Sequence, residues 1–262
     1  MGVVAFEQEL QQARAAAQRA GALQEERRER LDAVEHKQDD SPVTEVDRAC
    51  EALIRDALLA AFPSDGFLGE ETGAHTGHSG RTWIVDPLDG TRPYVRGIPT
   101  YSALIALEDG DGPALGIMHL PAMRQTYWAA RGGGAFLNGA PIHVSATGTL
   151  SRAMGSALGH IQKADTAAGR SLARVMGAWD YAYGFMDAYS YGCVAAGRLD
   201  VCVNLLDKAW DCAAAACIVR EAGGRYTDIR GHANIYHGSI VLSNGRLHDE
   251  VLSFFHDSTD ER

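Results

Sequence analysis

The residues best suited to chemistry lie between Thr82 and Gly97, in a stretch with two acids, two prolines and two glycines. An apolar run near its start predicts a buried strand that ends at Asp86. Because Pro87 cannot donate a ladder hydrogen bond, we expect the chain to turn there. The turn would free the Leu88 carbonyl and bring Asp89 beside Asp86. Two carboxylates and a carbonyl are hard oxygen ligands of the kind that Mg²⁺ uses, so the stretch predicts a magnesium site, with an acidic surface turn as the alternative.

The next two residues, Gly90 and Thr91, are suited to holding a phosphate group. Glycine lets a ligand approach the backbone closely. Thr91, with Pro93 after it, predicts the N-cap of a short helix, and the first N–H groups of a helix attract anions. An anion-binding site beside a divalent cation favours metal–phosphate chemistry.

Other acids stand at the ends of the elements that must support this stretch. Thr44 predicts the N-cap of a helix that runs to about residue 61, and Asp47 occupies the capping-box position three residues later. A second apolar run ends at Glu70, and Asp211 begins a helix that runs to about residue 221. Asp47 and Asp211 have helix capping as the alternative role. Four acids share the placement at the end of an apolar element, which is unexpected for surface residues: Glu70, Asp86, Asp89 and Asp211.

Composition narrows the class of protein. The chain has 262 residues, 46% of them hydrophobic, and a formal net charge of −10, which argues against nucleic-acid or anionic-membrane partners. It has no apolar run of about 18 residues and no signal-like N-terminus. Its odd number of cysteines without a C-x-x-C spacing predicts reduced core residues in a cytoplasmic protein: Cys50, Cys193, Cys202, Cys212 and Cys217.

The pattern of elements changes near residue 145. We expect an N-terminal α+β domain over 1–145, with a long helix from residue 3 to about 31, a largely antiparallel sheet from residue 82 onward and most of the metal ligands. Alternating apolar runs and helical segments predict an α/β domain over 146–262 that carries Asp211 and the residues of substrate choice. The segment from Thr72 to Gly80 is expected to be a surface loop rather than a zinc site, and no partner is predicted for His232 or His237.

Four motifs together resemble the inositol monophosphatase family of Mg²⁺-dependent, lithium-sensitive phosphatases. They are Gly69-Glu70-Glu71, the segment from Asp86 to Thr91, the segment from Trp210 to Gly224, and Ser41-Pro42-Val43-Thr44 with Asp47 and upstream Lys37. They span residues 37 to 224, in the order and spacing of that family.

The resemblance implies a layered αβαβα fold, commonly a homodimer, and two or three Mg²⁺ ions. One ion would be held by Glu70, Asp86 and the Leu88 carbonyl. A second would be held by Asp86, Asp89 and Asp211, and a third, weaker ion would lie near Glu70. The implied nucleophile is a metal-activated water. The implied catalytic group is Asp47, Thr91 and Glu70, in which the Thr91 hydroxyl and Asp47 deprotonate and aim the water.

Within that family, several residues are similar to the histidinol-phosphate phosphatase branch. Arg92 and the segment Asp187-Ala188-Tyr189-Ser190-Tyr191 fit it, but Asn204 stands where many members carry a substrate-binding glutamate. A neutral amide cannot make that charged contact, although Lys208 adds positive charge nearby. Inositol phosphate, a sugar or nucleoside phosphate, and a non-catalytic member therefore stay open as alternatives. The implied substrate contacts are Gly90, Thr91, Arg92, Asp187, Asn204 and Lys208.

Overall fold

The computed structural model of the protein describes residues 6–28, 35–36, 42–184 and 187–256. Lys37 and Ser41, which belong to the predicted motifs, lie outside the described residues, as do both predicted ends of the first helix. The helices are α1 (Glu7–Arg28), α2 (Glu45–Ala61), α3 (Thr91–Val95), α4 (Ala167–Ala178), α5 (Asp187–Ala195), α6 (Ala209–Glu221) and α7 (His248–Ser253). None of the helices within these ranges is long and apolar enough to cross a membrane.

The strands form two main sheets and one two-stranded pair. The pair is β1 (Glu35–His36) and β2 (Pro42–Val43). The strands of the large sheet are β3 (Gly66–Gly69), β4 (Gly73–His75), β5 (Thr82–Asp89), β6 (Ser102–Asp109), β7 (Gly112–Leu120), β8 (Gln125–Ala130), β9 (Ala135–Leu137) and β10 (Ala140–Ile142). Those of the small sheet are β11 (Met154–Leu158), β12 (Tyr181–Tyr183), β13 (Val201–Asn204), β14 (Arg225–Thr227) and β15 (Ile240–Ser243).

The large sheet has the order β10-β9-β8-β7-β6-β5-β3-β4, and all its neighbouring strands are antiparallel except β3 and β5. The antiparallel prediction is therefore confirmed from β5 onward. The segment predicted as a loop from Thr72 to Gly80 contains the short strand β4, so that prediction was wrong for the part that pairs with β3. The small sheet, of order β12-β11-β13-β15-β14, is mixed.

The layers follow the αβαβα order that was expected. Helices α1 and α2 cover one face of the large sheet, where Trp83 and Val85 of β5 are buried. Helices α5 and α6 cover the other face, where Ile84 is buried, and they also contact the small sheet, whose outer side α4 and α7 cover. Because both faces of β5 are buried, its segment 83–85 is continuously apolar rather than alternating.

One hydrophobic cluster joins the two sheets through the middle helices, since it contains Leu104 of the large sheet and Leu242 of the small one. The large sheet ends at Ile142 and the small sheet begins at Met154. The division into domains 1–145 and 146–262 stays a prediction. All five cysteines are free and buried, as expected.

Candidate active site

The strand β5 carries the two central acids, and a β-bulge in it determines the face to which their side chains point. Asp86 pairs with Leu104 and Asp89 pairs with Ser102, so β5 has one residue more than β6 between the two pairs. In a regular strand, residues three apart point to opposite faces, and the extra residue brings both acids to the same face. The predicted turn at Pro87 was therefore wrong, because the strand continues through the proline as a bulge.

Helix α1 holds this bulge in place. The Gln24 side-chain amide donates a hydrogen bond of 2.8 Å to the Pro87 carbonyl, and Gln24 is fully buried. A bulge leaves one backbone group without a ladder partner, and this contact satisfies it. Gln24 was missed in the sequence, although it extends the helical spacing of the buried Ala13, Ala17 and Ala20.

Gly90 and Thr91 form the corner that follows β5. Gly90 has φ 79°, a left-handed conformation that favours glycine, and a Cβ there would lie 3.2 Å from a carboxylate oxygen of Asp187. Gly90 is the N-cap of α3 and Thr91 is its first residue, so the prediction of Thr91 as the cap was wrong. The Thr91 hydroxyl lies 3.1 Å from both Asp47 Oδ1 and the Leu88 carbonyl oxygen.

The position of Asp47 follows from the predicted capping box of α2, which is confirmed. The Thr44 backbone N–H donates to Asp47 Oδ2 at 2.7 Å, and the Val46 N–H donates to the Thr44 hydroxyl at 3.1 Å. Burial raises the pKa of Asp47, although its hydrogen bonds with Thr44 oppose that shift. The cap therefore fixes Oδ2 and leaves Oδ1 for the Thr91 hydroxyl.

Glu70 reaches the same edge because β3 runs parallel to β5. The fully buried Glu51 of α2 accepts 2.8 Å hydrogen bonds from the backbone N–H groups of Glu71 and Thr72. A side chain at Gly69 would overlap the Glu51 carboxylate, so a larger residue there would force that carboxylate to shift. Glu51 was also missed, because its role depends on a segment twenty residues away in sequence.

Asp211 reaches the edge from the first turn of α6. Its Oδ2 accepts a 2.7 Å hydrogen bond from the Lys208 backbone N–H, so the capping role is present. Burial raises the pKa of Asp211 to about 7; the Lys208 hydrogen bond opposes the shift, and the carboxylate of Glu70 adds to it. The same residue therefore caps a helix and presents a carboxylate to the site.

These elements enclose one cavity of about 390 Å³. The predicted residues that line it are Glu70, Asp86, Leu88, Asp89, Gly90, Thr91, Arg92, Asp187, Asn204 and Asp211. Asp47 contacts it through the Thr91 hydroxyl, whereas Lys208 is exposed and is not among the lining residues. A larger groove of about 670 Å³ between α1 and β8 has only Glu7 and Arg14 as ionisable lining residues, so it lacks a comparable set of chemical groups.

The lining of the cavity is rich in acidic side chains. Burial raises the pKa of Asp86 well above its ordinary value, and neighbouring carboxylates, Glu70 foremost, raise it further. Burial likewise raises the pKa of Asp89, with a further contribution from Asp187. Within the ranges that the structure describes, no lysine or arginine pairs with Asp86, Asp89 or Asp211. Buried carboxylates without a counter-charge are costly, so this oxygen-donor set fits hard divalent cations.

Three polar residues lie on the α5 and β13 side of the cavity. Asp187 has φ 53° and begins α5, and burial raises its pKa to about 6. Asn204 ends β13 and is hydrogen-bonded to Asp207, a buried acid that the sequence analysis missed. No spacing rule pointed to Asp207, because it lies in the short loop before α6.

Another group capable of binding a metal lies in the loop between β14 and β15. The donor atoms of Asp228, His232 and His237 lie within 4.8 Å of one another. Both imidazoles contact Asp228 Oδ2, at 3.2 Å for His232 and 2.6 Å for His237, so the two histidines have a partner that the sequence did not reveal. This group is separate from the predicted magnesium ligands.

Comparison with known proteins gives a consistent result. The model of the Inositol monophosphatase family matches residues 6–260. A histidinol-phosphatase of Mycobacterium tuberculosis is 41% identical over 227 residues, which cover 84% of this chain and 86% of that protein. A fructose-1,6-bisphosphatase/inositol-1-monophosphatase of Thermotoga maritima is 35% identical, with 84% of each chain covered.

Solved structures share the fold over almost the full length. The extragenic suppressor protein suhB of Bartonella henselae superposes with a TM-score of 0.88 at 30% identity, covering 95% of this chain and 99% of its own. An inositol monophosphatase of Anabaena has a TM-score of 0.85 at 26% identity, covering 97% and 98%.

Proposed function

Because the chain belongs to the inositol monophosphatase family and is a phosphoric monoester hydrolase, we propose that it releases phosphate from histidinol phosphate or a related small amino-alcohol or polyol phosphate. One observation carries the proposal. Carboxylates from the ends of β3 and β5 and the start of α6 meet at one cavity, where Asp86, Asp89 and Asp211 have no cationic side chain as a partner among the described residues. Histidinol phosphate comes first because relatives named histidinol-phosphatase are 40% and 41% identical to the chain.

The family is metal-dependent, and we propose Mg²⁺ as the metal. Glu70, Asp86 and the Leu88 carbonyl would hold one ion, and Asp86, Asp89 and Asp211 would hold a second, with a third, weaker site near Glu70. Bound there, the ions would neutralise phosphate charge and lower the pKa of a water molecule. The acidic lining supports this assignment, since cations would balance Asp86, Asp89 and Asp211, for which the described residues provide no cationic side-chain partner.

Thr91 and Asp47 would move the proton of the attacking water. The Thr91 hydroxyl donates to Asp47 Oδ1 over 3.1 Å, which leaves its oxygen lone pairs to accept a hydrogen bond from a water in the cavity. Burial raises the pKa of Asp47, and a more basic carboxylate accepts a proton more readily. The pair would therefore act as a short proton relay.

The phosphate group would lie against the corner at Gly90, held by the N–H groups of Gly90 and Thr91. Arg92 would add positive charge at the cavity. Asp187 would contact the alcohol part of the substrate, with Asn204 lining the same side of the cavity, and Lys208 would act from the exposed rim.

Inositol 1-phosphate is the main alternative, because a relative named inositol-1-monophosphatase in Rhizobium meliloti is 38% identical. A sugar or nucleoside phosphate of a specialised pathway is a further one. A non-catalytic role is disfavoured, since none of the predicted metal carboxylates is missing. We also propose a cytoplasmic protein without nucleic-acid or membrane partners, on the basis of five buried free thiols and the net charge of −10. The family resemblance alone supports a homodimer.

The test is phosphate release by the purified protein from a panel of monoesters. It should include histidinol phosphate, inositol 1-phosphate, sugar phosphates and nucleoside monophosphates, with Mg²⁺ and with chelator. We expect release that needs Mg²⁺, is fastest with histidinol phosphate and is lost in Asp89→Asn. Absence of hydrolysis across the whole panel would favour the non-catalytic role.

A further inference from the structure

Asp207 is a buried acid in the cavity that the proposed phosphate chemistry does not use. Its side chain is 2% exposed, and it lines the cavity from the loop between β13 and α6. One carboxylate oxygen, Oδ1, accepts hydrogen bonds from the Tyr191 hydroxyl at 2.7 Å and from the Asn204 amide. The other, Oδ2, is buried and has no hydrogen-bond partner among the described residues.

The neighbouring polar groups are arranged to hold this carboxylate rather than to contact a ligand themselves. The Asn204 amide nitrogen donates to Asp207 and, at 2.8 Å, to the Tyr191 hydroxyl, while its carbonyl oxygen accepts the Leu206 backbone N–H at 3.0 Å. Tyr191 belongs to α5 and is 1% exposed. Both groups therefore fix Oδ1, which leaves Oδ2 as the atom available for recognition.

The charge of Asp207 is also uncompensated. Burial raises its pKa well above the ordinary value, and the carboxylate of Asp211 adds to the effect. No lysine or arginine in the described ranges pairs with it. The proposed cations would balance the carboxylates assigned to them, but Asp207 is not one of those ligands. A buried carboxylate with one free oxygen is suited to a cation that arrives with the substrate.

We propose that Asp207 is a specificity-determining residue whose free oxygen binds an ammonium group on the alcohol part of the substrate. The inference rests on the proposed function and narrows its substrate class to phosphate esters of amino alcohols. Asn204 and Tyr191 are positioning residues that orient the Asp207 carboxylate. Neutral polyol phosphates bring no cation to this carboxylate, so they would be poorer substrates.

The test compares two substrates that differ only in the ammonium group. Histidinol phosphate and its desamino analogue share the phosphate and the imidazole, so the ratio of their kcat/KM values isolates the ammonium contact. The wild-type enzyme should prefer histidinol phosphate, and Asp207→Asn should lower that ratio about 30-fold, mainly through the KM of the amine substrate. The exposed Asp111→Asn, whose side chain is 88% exposed, is the matched control and should keep the wild-type ratio.

A second variant keeps the test decisive if Asp207→Asn does not fold. Tyr191→Phe keeps the carboxylate and removes one of the two groups that orient it, so it should lower the ratio in the same direction by a smaller factor. A wild-type enzyme that hydrolyses both substrates equally, or a ratio that neither variant changes, would overturn the role of Asp207. Failure of the wild type to hydrolyse any monoester with Mg²⁺, p-nitrophenyl phosphate included, would instead refute the proposed phosphatase chemistry.

Discussion

Buried acids lie at both ends of the parallel strands β3 and β5. The N-terminal end of these strands, called the starting end below, differs from their C-terminal end, called the finishing end, in the partners that the acids have. At the starting end, Asp65 accepts hydrogen bonds from the Arg81 guanidinium at 2.8 and 3.0 Å and from the Trp83 indole at 3.1 Å. Arg81 also pairs with Glu9 at 2.6 Å. At the finishing end, Asp86 and Asp89 have no cationic partner among the described residues.

This difference distinguishes Asp65, which stabilises the fold through its ion pair, from Asp86 and Asp89, which are available to bind a ligand. Burial lowers the pKa of Arg81, but its bonds to Asp65 and Glu9 outweigh that effect, so its pKa is raised overall and the charged pair is favoured. At the other end, burial and neighbouring carboxylates raise the pKa values of Asp86 and Asp89. The starting end is complete in itself, whereas Asp86 and Asp89 at the finishing end have no cationic partner in the described part of the chain, so bound cations would balance them.

The largest expected effect comes from Asp89→Asn at the finishing end. Loss of a proposed cation ligand should lower kcat/KM for phosphate release about a thousandfold. In the absence of metal, the midpoint temperature of unfolding of the variant should be no lower than that of the wild type, because the variant has one carboxylate fewer to repel its acidic neighbours. Phosphate release and thermal unfolding in chelator measure the two effects. A variant that is both active and less stable would place Asp89 among the structural acids.

The proton relay should have the next largest effect. Thr91→Ala removes the hydroxyl that lies 3.1 Å from Asp47, and we expect kcat to fall about a hundredfold with little change in thermal stability. Thr91→Ser keeps the hydroxyl and is the matched control, which should retain most of the activity. Equal losses in the two variants would show that the methyl group, rather than the hydroxyl, matters.

Asp65→Asn should produce the opposite pattern at the starting end. It leaves Arg81 with a weaker partner in a largely buried place, so the free energy of unfolding should fall by about 2 kcal/mol. The folded fraction should keep its kcat/KM, because Asp65 lies at the far end of the strands from the cavity. Denaturant unfolding beside steady-state kinetics tests this, and a loss of activity without a loss of stability would remove the distinction between the two ends.

The smallest expected effect is a pH dependence of the metal-free protein. Burial raises the pKa of Asp211 to about 7, well above the ordinary value of an aspartate, so the folded state binds a proton more tightly than the unfolded state. Stability should therefore rise as pH falls from about 8 to about 6, and it is lost as pH rises through the folded pKa. Thermal unfolding in chelator measures the slope. Asp211→Asn should make the slope shallower without abolishing it, since the pKa values of Asp86, Asp89 and Asp187 are raised too. A slope of opposite sign would contradict the effect of burial on Asp211.

Local signals predicted a large part of the site. The Thr44–Asp47 capping box depends on residues three apart, so its pattern was readable from the sequence. The placement of Glu70 directly after β3 and of Asp211 in the first turn of α6 was readable for the same reason, because periodicity marks where a buried element stops or starts, whereas Asp86 lies within β5 rather than at its end.

Contacts between distant segments were not predictable in this way. The bulge at Pro87 depends on the register of β6, and the roles of Gln24 and Glu51 depend on partners 63 and 20 residues away. Asp207 lies in a loop, where it accepts hydrogen bonds from Tyr191 of α5 and Asn204 of β13. These residues carry no local motif, and only the assembled fold brings each of them to its partner.

Calorimetric titration of Mg²⁺ into the metal-free protein tests the central claim most directly. Asp86 is the carboxylate shared by the two proposed cation sites, so Asp86→Asn should abolish most of the heat of binding, whereas Asp65→Asn should bind Mg²⁺ as the wild type does. A wild-type protein that takes up no Mg²⁺, or an Asp86→Asn variant that binds it unchanged, would contradict the account.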